Sequence, residues 1–344
     1  MRQVRPPAAR RPLALLLFAA LAPAALAQHF AFVSTRVPDD LAGAYGRPPQ
    51  SEVFLYRDGS EIRLTSTPHA SEYDPTPSPG GRYVAFAALD HADVEAGYAA
   101  WGWRLAVVDT ITRREVARWD LPGTVGSFRP AGGFQLAWLD QGTLLAQGLA
   151  DDGSWEVHAF DLASGSSRRV TSGFGVVVAP DGASFATSRF DGVVVHEVDS
   201  GRERNVFDGA GVPLTWWRGG LLVASEDGLH LVDVATATSV RLKHHPGFVL
   251  EAVADQGTEW LAYVRLAEGG GTTELVVVDA DDVAYLVREG DWVGEVTWLG
   301  PGLLVYEAVM GAGDVQVEVS DLLGHGFVVD SVGEDFTPRA VPLR

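Results

Sequence analysis

One turn recurs along this chain with the regularity of a repeat. It reads PGGRY, AGGFQ, PDGAS, RGGLL, DQGTE and GPGLL, with landmark glycines at 81, 133, 182, 220, 257 and 302. The mean spacing is about 44 residues, and a period in the forties built from short strands is the mark of a β-propeller, one four-stranded blade per repeat. The residues between the turns agree. Runs such as HFAFVS, EVFLYR, YVAFAA, RLAVVD, GVVVHEV, LHLVDV and TELVVVDA are apolar and β-branched, bounded by Gly, Asp and Pro. No stretch beyond the first 27 residues carries the 3.6-residue apolar period of an amphipathic helix. Asp-Gly pairs at 58–59, 152–153, 181–182, 191–192 and 227–228 offer the positive φ that tight hairpins need. The expected fold is all-β, a single propeller of four-stranded antiparallel blades.

The blade count follows from length. Arg2, Arg5, Arg10 and Arg11 precede the apolar run PLALLLFAALAPAALA, and Ala25-Leu26-Ala27 fits the small-x-small rule of a cleavage site. Residues 1–27 therefore read as a secretory signal peptide and residues 28–344 as the propeller, with an uncleaved anchor as the alternative. About 317 residues divided by about 44 gives seven blades, and the uneven spacing leaves six or eight open. The ends support seven. HFAFVSTR has the character of a second blade strand with its first strand missing, and EDFTPRAVPL, near the C-terminus, supplies a strand of the missing kind. Joining the two closes the ring and removes the exposed sheet edges.

The stretch DPTPSPGGRYVAF (74–86) then reads as inner strand, turn and second strand. Asp74 is expected to hydrogen-bond at the blade connection, Pro77 and Pro79 to stiffen the approach, and Gly80-Gly81 to form the hairpin. With Phe30-Ala31-Phe32-Val33-Ser34, Val53-Phe54-Leu55-Tyr56, Asp58-Gly59, Leu64-Thr65, Asp74 and Pro77-Ser78-Pro79, this first unit resembles the WD-repeat-like propeller repeat of TolB and of prolyl-oligopeptidase-type propeller domains. APDGASFATS at 179–188 is a second copy, while Gly80 stands where that repeat usually has Asp. The resemblance covers residues 29–89 well and 176–188 fairly, and elsewhere it is one of architecture. It implies a propeller alone, without the N-terminal domain of TolB or a peptidase domain.

Composition narrows the function classes. The chain has no cysteine, which excludes disulfides, zinc–thiolate sites and thiol nucleophiles. The net charge is −19 and falls to about −23 without the leader. Such a balance argues against nucleic acid and anionic membrane surfaces. No span crosses a membrane in the mature chain, which is expected to be soluble, exported to the periplasm or beyond, and monomeric.

Motifs for chemistry are sparse. His244-His245 is the one histidine pair and has no partner at a ligand spacing, so no metal site is assigned. Asp279-Ala280-Asp281-Asp282 lacks the glycine and distal glutamate of a calcium loop and reads as a solvated turn, and Gly269-Gly270-Gly271 as a hairpin tip. No nucleophile elbow is present, no cofactor is called for, and the ten tryptophans read as blade-interface core. The loops carry more information. Connections between second and third blade strands are short at 189–192 and 225–228 but longer at 37–50, 89–102, 266–273 and 309–314, on blades that become consecutive once the ring closes. Tyr45, His91, Tyr98 and Trp101 in the first two are the candidate contact residues. The expected function is non-catalytic binding or scaffolding of a protein or cell-envelope component. A lyase or hydrolase acting on carbohydrate at the central channel is the alternative, and a basic protein docking on the acidic surface is a third reading.

Overall fold

The computed structural model describes residues 29–35, 50–67, 70–90, 103–121, 136–150, 152–242, 248–255, 257–267, 269–310, 314–322, 325–329 and 335–340. They form seven four-stranded antiparallel sheets arranged as the blades of a propeller. Blade 1 combines Asp335–Ala340 with His29–Ser34, Glu52–Arg57 and Ser60–Arg63, and blade 2 comprises Ala70–Pro77, Tyr83–Asp90, Trp103–Asp109 and Arg114–Asp120. Blades 3 to 7 begin with the inner strands Leu136–Trp138, Phe174–Val178, Gly211–Trp217, Val249–Ala254 and Val293–Gly300. The ring closes as its ends suggest: Phe30 pairs with Ala340 and Ser34 with Asp335.

The apolar runs are continuous, rather than alternating, because each blade is covered on both sides. In blade 2, Val84, Phe86 and Ala88 face blade 1, while Ala85, Ala87 and Leu89 face blade 3. The first blade behaves alike, with Ala31 and Val33 turned to blade 2 and Phe30 and Phe32 to blade 7. Period-2 side-chain alternation thus feeds two cores from one strand. The core of the whole molecule is a set of seven such seams, each an apolar cluster shared by neighbouring blades.

Three tryptophans tie the seams at the axis. The indole N–H of Trp138 donates to the Thr76 carbonyl (2.8 Å), that of Trp216 to Val177 (3.3 Å) and that of Trp298 to Val253 (3.0 Å). Each bond runs from one inner strand to the inner strand of the preceding blade, across seams 2–3, 4–5 and 6–7. The interface role expected for tryptophan holds at these positions.

Two sequence expectations change. The first turn of blade 3 is Asp140–Gly142, where Asp140 Oδ1 accepts the Gly142 and Thr143 N–H groups, and not the glycine at 133. Residue 133 lies in the long connection between Asp120 and Leu136, which displaced the rhythm of the repeat by one turn. Asp74 does not belong to the blade connection. It sits within the inner strand Ala70–Pro77, in a bulge between Tyr73 and Thr76, at φ 52° and against the central channel. Gly80 and Gly81 do make the turn, with φ of 74° and 68° that a side chain would resist.

Candidate functional site

Strand ends define two faces. Blade-to-blade connections and second-to-third loops emerge on one, the connector face, and the remaining turns on the other. On the connector face the second-to-third links of blades 4 and 5 are residues 190–191 and 226–227, whereas blade 1 has 35–51, blade 2 has 91–102 and blade 6 has 267–272. Blade 7 departs from expectation. Met310 pairs with Asp314, so its link is 311–313, shorter than the 150–154 link of blade 3. The elaboration therefore centres on the adjacent blades 1 and 2. Tyr45, His91, Tyr98 and Trp101 lie outside the described residues, as do His244 and His245.

At the described strand ends that these two links join lies a buried acidic clamp. Glu72, at the connector end of the inner strand of blade 2, is fully buried. Its carboxylate accepts the Val53 N–H (2.9 Å) from blade 1 and the hydroxyls of Thr65 and Thr67 from the connection between the blades. Its backbone and the Ser51 hydroxyl exchange two bonds, Ser51 Oγ to Glu72 O (2.9 Å) and Glu72 N to Ser51 Oγ (2.7 Å). Ser51 is the last residue of the 35–51 loop, so the clamp fixes the root of the longest loop. Glu52, also fully buried, pairs with Arg63, whose Nε also donates to the Thr65 carbonyl (2.8 Å). Burial, reinforced by the charge of Glu52 and opposed by the hydroxyl and amide donors, pushes the Glu72 carboxyl up to about 7. The root of the second loop is held by Arg104, which lies 3.5 Å from Asp90 and 3.6 Å from Asp120.

Sequence reading missed this clamp. Glutamates at strand ends look like solvated flanks, and the donors that bury Glu72 come from two other segments.

A second polar cluster lies at seam 3–4. Thr187 Oγ1 is 2.9 Å from His196 Nε2, and His196 Nδ1 is 3.3 Å from Glu203. This has the connectivity of a hydroxyl–imidazole–carboxylate triad, but its order in depth is inverted. Thr187 is 0% exposed, and His196 stacks on Phe185 with centroids 4.6 Å apart, while the Glu203 carboxylate is the outermost member. No substrate reaches the hydroxyl, and the cluster ties the blades through Arg189 and Thr171. Burial pulls the His196 imidazole down to about 4, outweighing the attraction of Glu203.

The Asp279–Asp282 turn is a receptor for a cation within the chain. Arg218 lies on the Trp217 ring, 4.3 Å from its centroid, and bonds Asp282 (2.7 Å) and the Ala280 carbonyl (2.8 Å) across seam 5–6. Among the described residues no group of three His, Cys, Asp or Glu side chains is placed to hold a metal ion, and no helix is long and apolar enough to cross a membrane.

Solved structures share this architecture. TolB from Acinetobacter baumannii matches 94% of this chain over 69% of its own, at 13% identity and a TM-score of 0.52. A prolyl endopeptidase matches 88% at 14% identity and a TM-score of 0.61, and this chain spans about half its length, 48%. An oligogalacturonate lyase solved in complex with manganese matches 88% over 85% of its own chain, at 13% identity and a TM-score of 0.53. No family model matches the chain, and no curated protein does. The likeness is one of fold alone, a β-propeller, and fold by itself does not assign a function.

Proposed function

We propose that this chain is an exported binding module, without catalysis of its own, that recognises a protein or cell-envelope component through the connector-face loops of blades 1 and 2. The observation that carries this reading is the clamp: a buried carboxylate at seam 1–2 fixes the root of the longest second-to-third loop, residues 35–51. Rigid scaffolds present recognition through loops held at their bases, and ordering a loop root in advance lowers the entropy lost on binding. Tyr45, His91, Tyr98 and Trp101 supply the large amphipathic side chains that dominate protein contacts. Export rests on the leader-like residues 1–27.

The test replaces residues 37–50 and 89–102 by four-residue turns and compares capture from envelope extracts. A propeller that melts normally but loses its partner supports the reading. Capture of the same partner by the shortened protein overturns it.

A further inference from the structure

We propose that the connector end of the seam between blades 1 and 2 is a pH-sensitive joint, closed while Glu72 holds a proton and loosened when that proton leaves. Two fully buried glutamates meet this seam from its two sides, Glu72 on the inner strand of blade 2 and Glu52 on the third strand of blade 1. Arg63 bonds Glu52 and the Thr65 carbonyl. The Glu72 carboxylate is bonded to uncharged donors, the Val53 N–H and the hydroxyls of Thr65 and Thr67. Burial disfavours the ionised form of such a group.

The same residue carries the bonds that hold the joint. Val53 N–H to Glu72 Oε2 (2.9 Å), Glu72 N–H to Ser51 Oγ (2.7 Å) and Ser51 O–H to the Glu72 carbonyl (2.9 Å) all run between blade 1 and blade 2. Parting them hands the Glu72 carboxyl to water, so opening and ionisation favour one another. Other charges act on this seam from blade 2: Arg118, on its outer strand, is attracted by both Glu72 and Asp90, and Arg104 lies 3.5 Å from Asp90. Asp74, further along the strand of Glu72, lines the channel. The side chains of His69, Asp335 and Arg339 lie outside the described residues. A carboxyl raised by burial in the closed joint favours closure at low pH, and that preference is lost as the pH climbs through its closed-state value. With 4.5 in the open joint and about 7 in the closed one, the opening constant rises about tenfold from pH 6 to pH 8.

Native-state amide exchange of the full chain reads the joint directly, because the Val53 and Glu72 amides belong to it. After correction for the intrinsic rise of exchange with pH, their protection is expected to fall about tenfold between pH 6 and pH 8. The amides of Ser184–Arg189 at seam 3–4, where the His196 imidazole is held down to about 4, are the reference and stay level. Glu72→Gln keeps the donors and cannot ionise, so it abolishes the fall. Thr67→Val removes a hydroxyl that favours the carboxylate, so the fall moves to higher pH. Cooperative melting of both variants checks the fold. The proposal fails if the two amides stay level in the parent, if the reference amides fall in step with them, or if Glu72→Gln retains the fall. It fails too if Thr67→Val leaves the fall in place or moves it to lower pH. Protection that rises with pH overturns it as well, since a cation would then be paired with Glu72. None of these outcomes touches the loop-face reading, whose test changes none of these residues.

Discussion

Replacing Glu72 by Gln isolates the cost of ionising a carboxyl in the seam between blades 1 and 2. The ordinary carboxyl value of 4.5 is raised to about 7 by burial. A group raised in the folded state stabilises the fold fully below its unfolded value, and that stabilisation is lost as the pH climbs through the folded value. The interval corresponds to about 3 kcal/mol. Gln fits the same donors: its carbonyl oxygen takes the Val53 N–H and the Thr65 hydroxyl, and its amide donates to Thr67 Oγ1. Any fixed difference between the two side chains appears equally at every pH. Thermal unfolding of both proteins at about pH 4 and about pH 8 therefore reads the ionisation cost alone. The variant is expected to gain about 3 kcal/mol on the parent between those conditions, or about 5 °C for a domain of roughly 300 residues. A gap between variant and parent that is the same at both pH values would show that Glu72 ionises without cost, and would refute the argument from burial.

Trp298→Phe removes the indole donor to Val253 and part of the packing against Trp260, and is expected to cost about 2 kcal/mol in thermal unfolding; an unchanged melting temperature counts against the axial latch. The same change at Trp216, whose indole bond is the longest of the three at 3.3 Å, is expected to cost less. His196→Gln tests the other pH-linked seam. An imidazole held down to about 4 stabilises the fold fully above its ordinary 6.5, and that stability drains away as the pH falls from 6.5 towards 4. The parent should therefore lose stability relative to the variant on acidification, the opposite sense to Glu72, and parallel melting curves from pH 7 to 4 would refute the assignment.

The architecture was legible because strand alternation and turn chemistry are local. The blade count, the shared blade 1 and the short links at 189–192 and 225–228 all follow from runs of a few residues. The misplaced turn of blade 3 shows the limit of glycine counting. A better signal was present: Trp138, Trp216 and Trp298 each stand four residues before the glycine of their turn, at 142, 220 and 302, and the tetrapeptide DQGT recurs at 140–143 and 255–258. Such a tryptophan marks where an inner strand ends, with its indole reaching back across the seam to the preceding inner strand. The clamp at Glu72 had no such signature. Its burial depends on Val53, Thr65 and Thr67 arriving from elsewhere, and nothing local to SEYDP distinguishes a desolvated carboxylate from a solvated one. The Arg218 receptor was hidden for the same reason, with its two halves some sixty residues apart.

The strand that completes blade 1 is the last of the described strands to be made. The strand His29–Ser34 pairs on one side with Glu52–Arg57 soon after both are made, but its other edge is paired only when Asp335–Ala340 arrives, about 300 residues later. At ordinary synthesis rates that is a wait of roughly 15–60 seconds. Throughout it, one edge of the N-terminal strand is an open template for β-pairing. The ring is thus a timed assembly, in which six blades can form by local contacts while the seventh stays unlocked. A chain stopped before residue 335 would carry that unlocked edge permanently, and its vulnerability to proteases and to pairing with other chains would report whether the closing strand had been made.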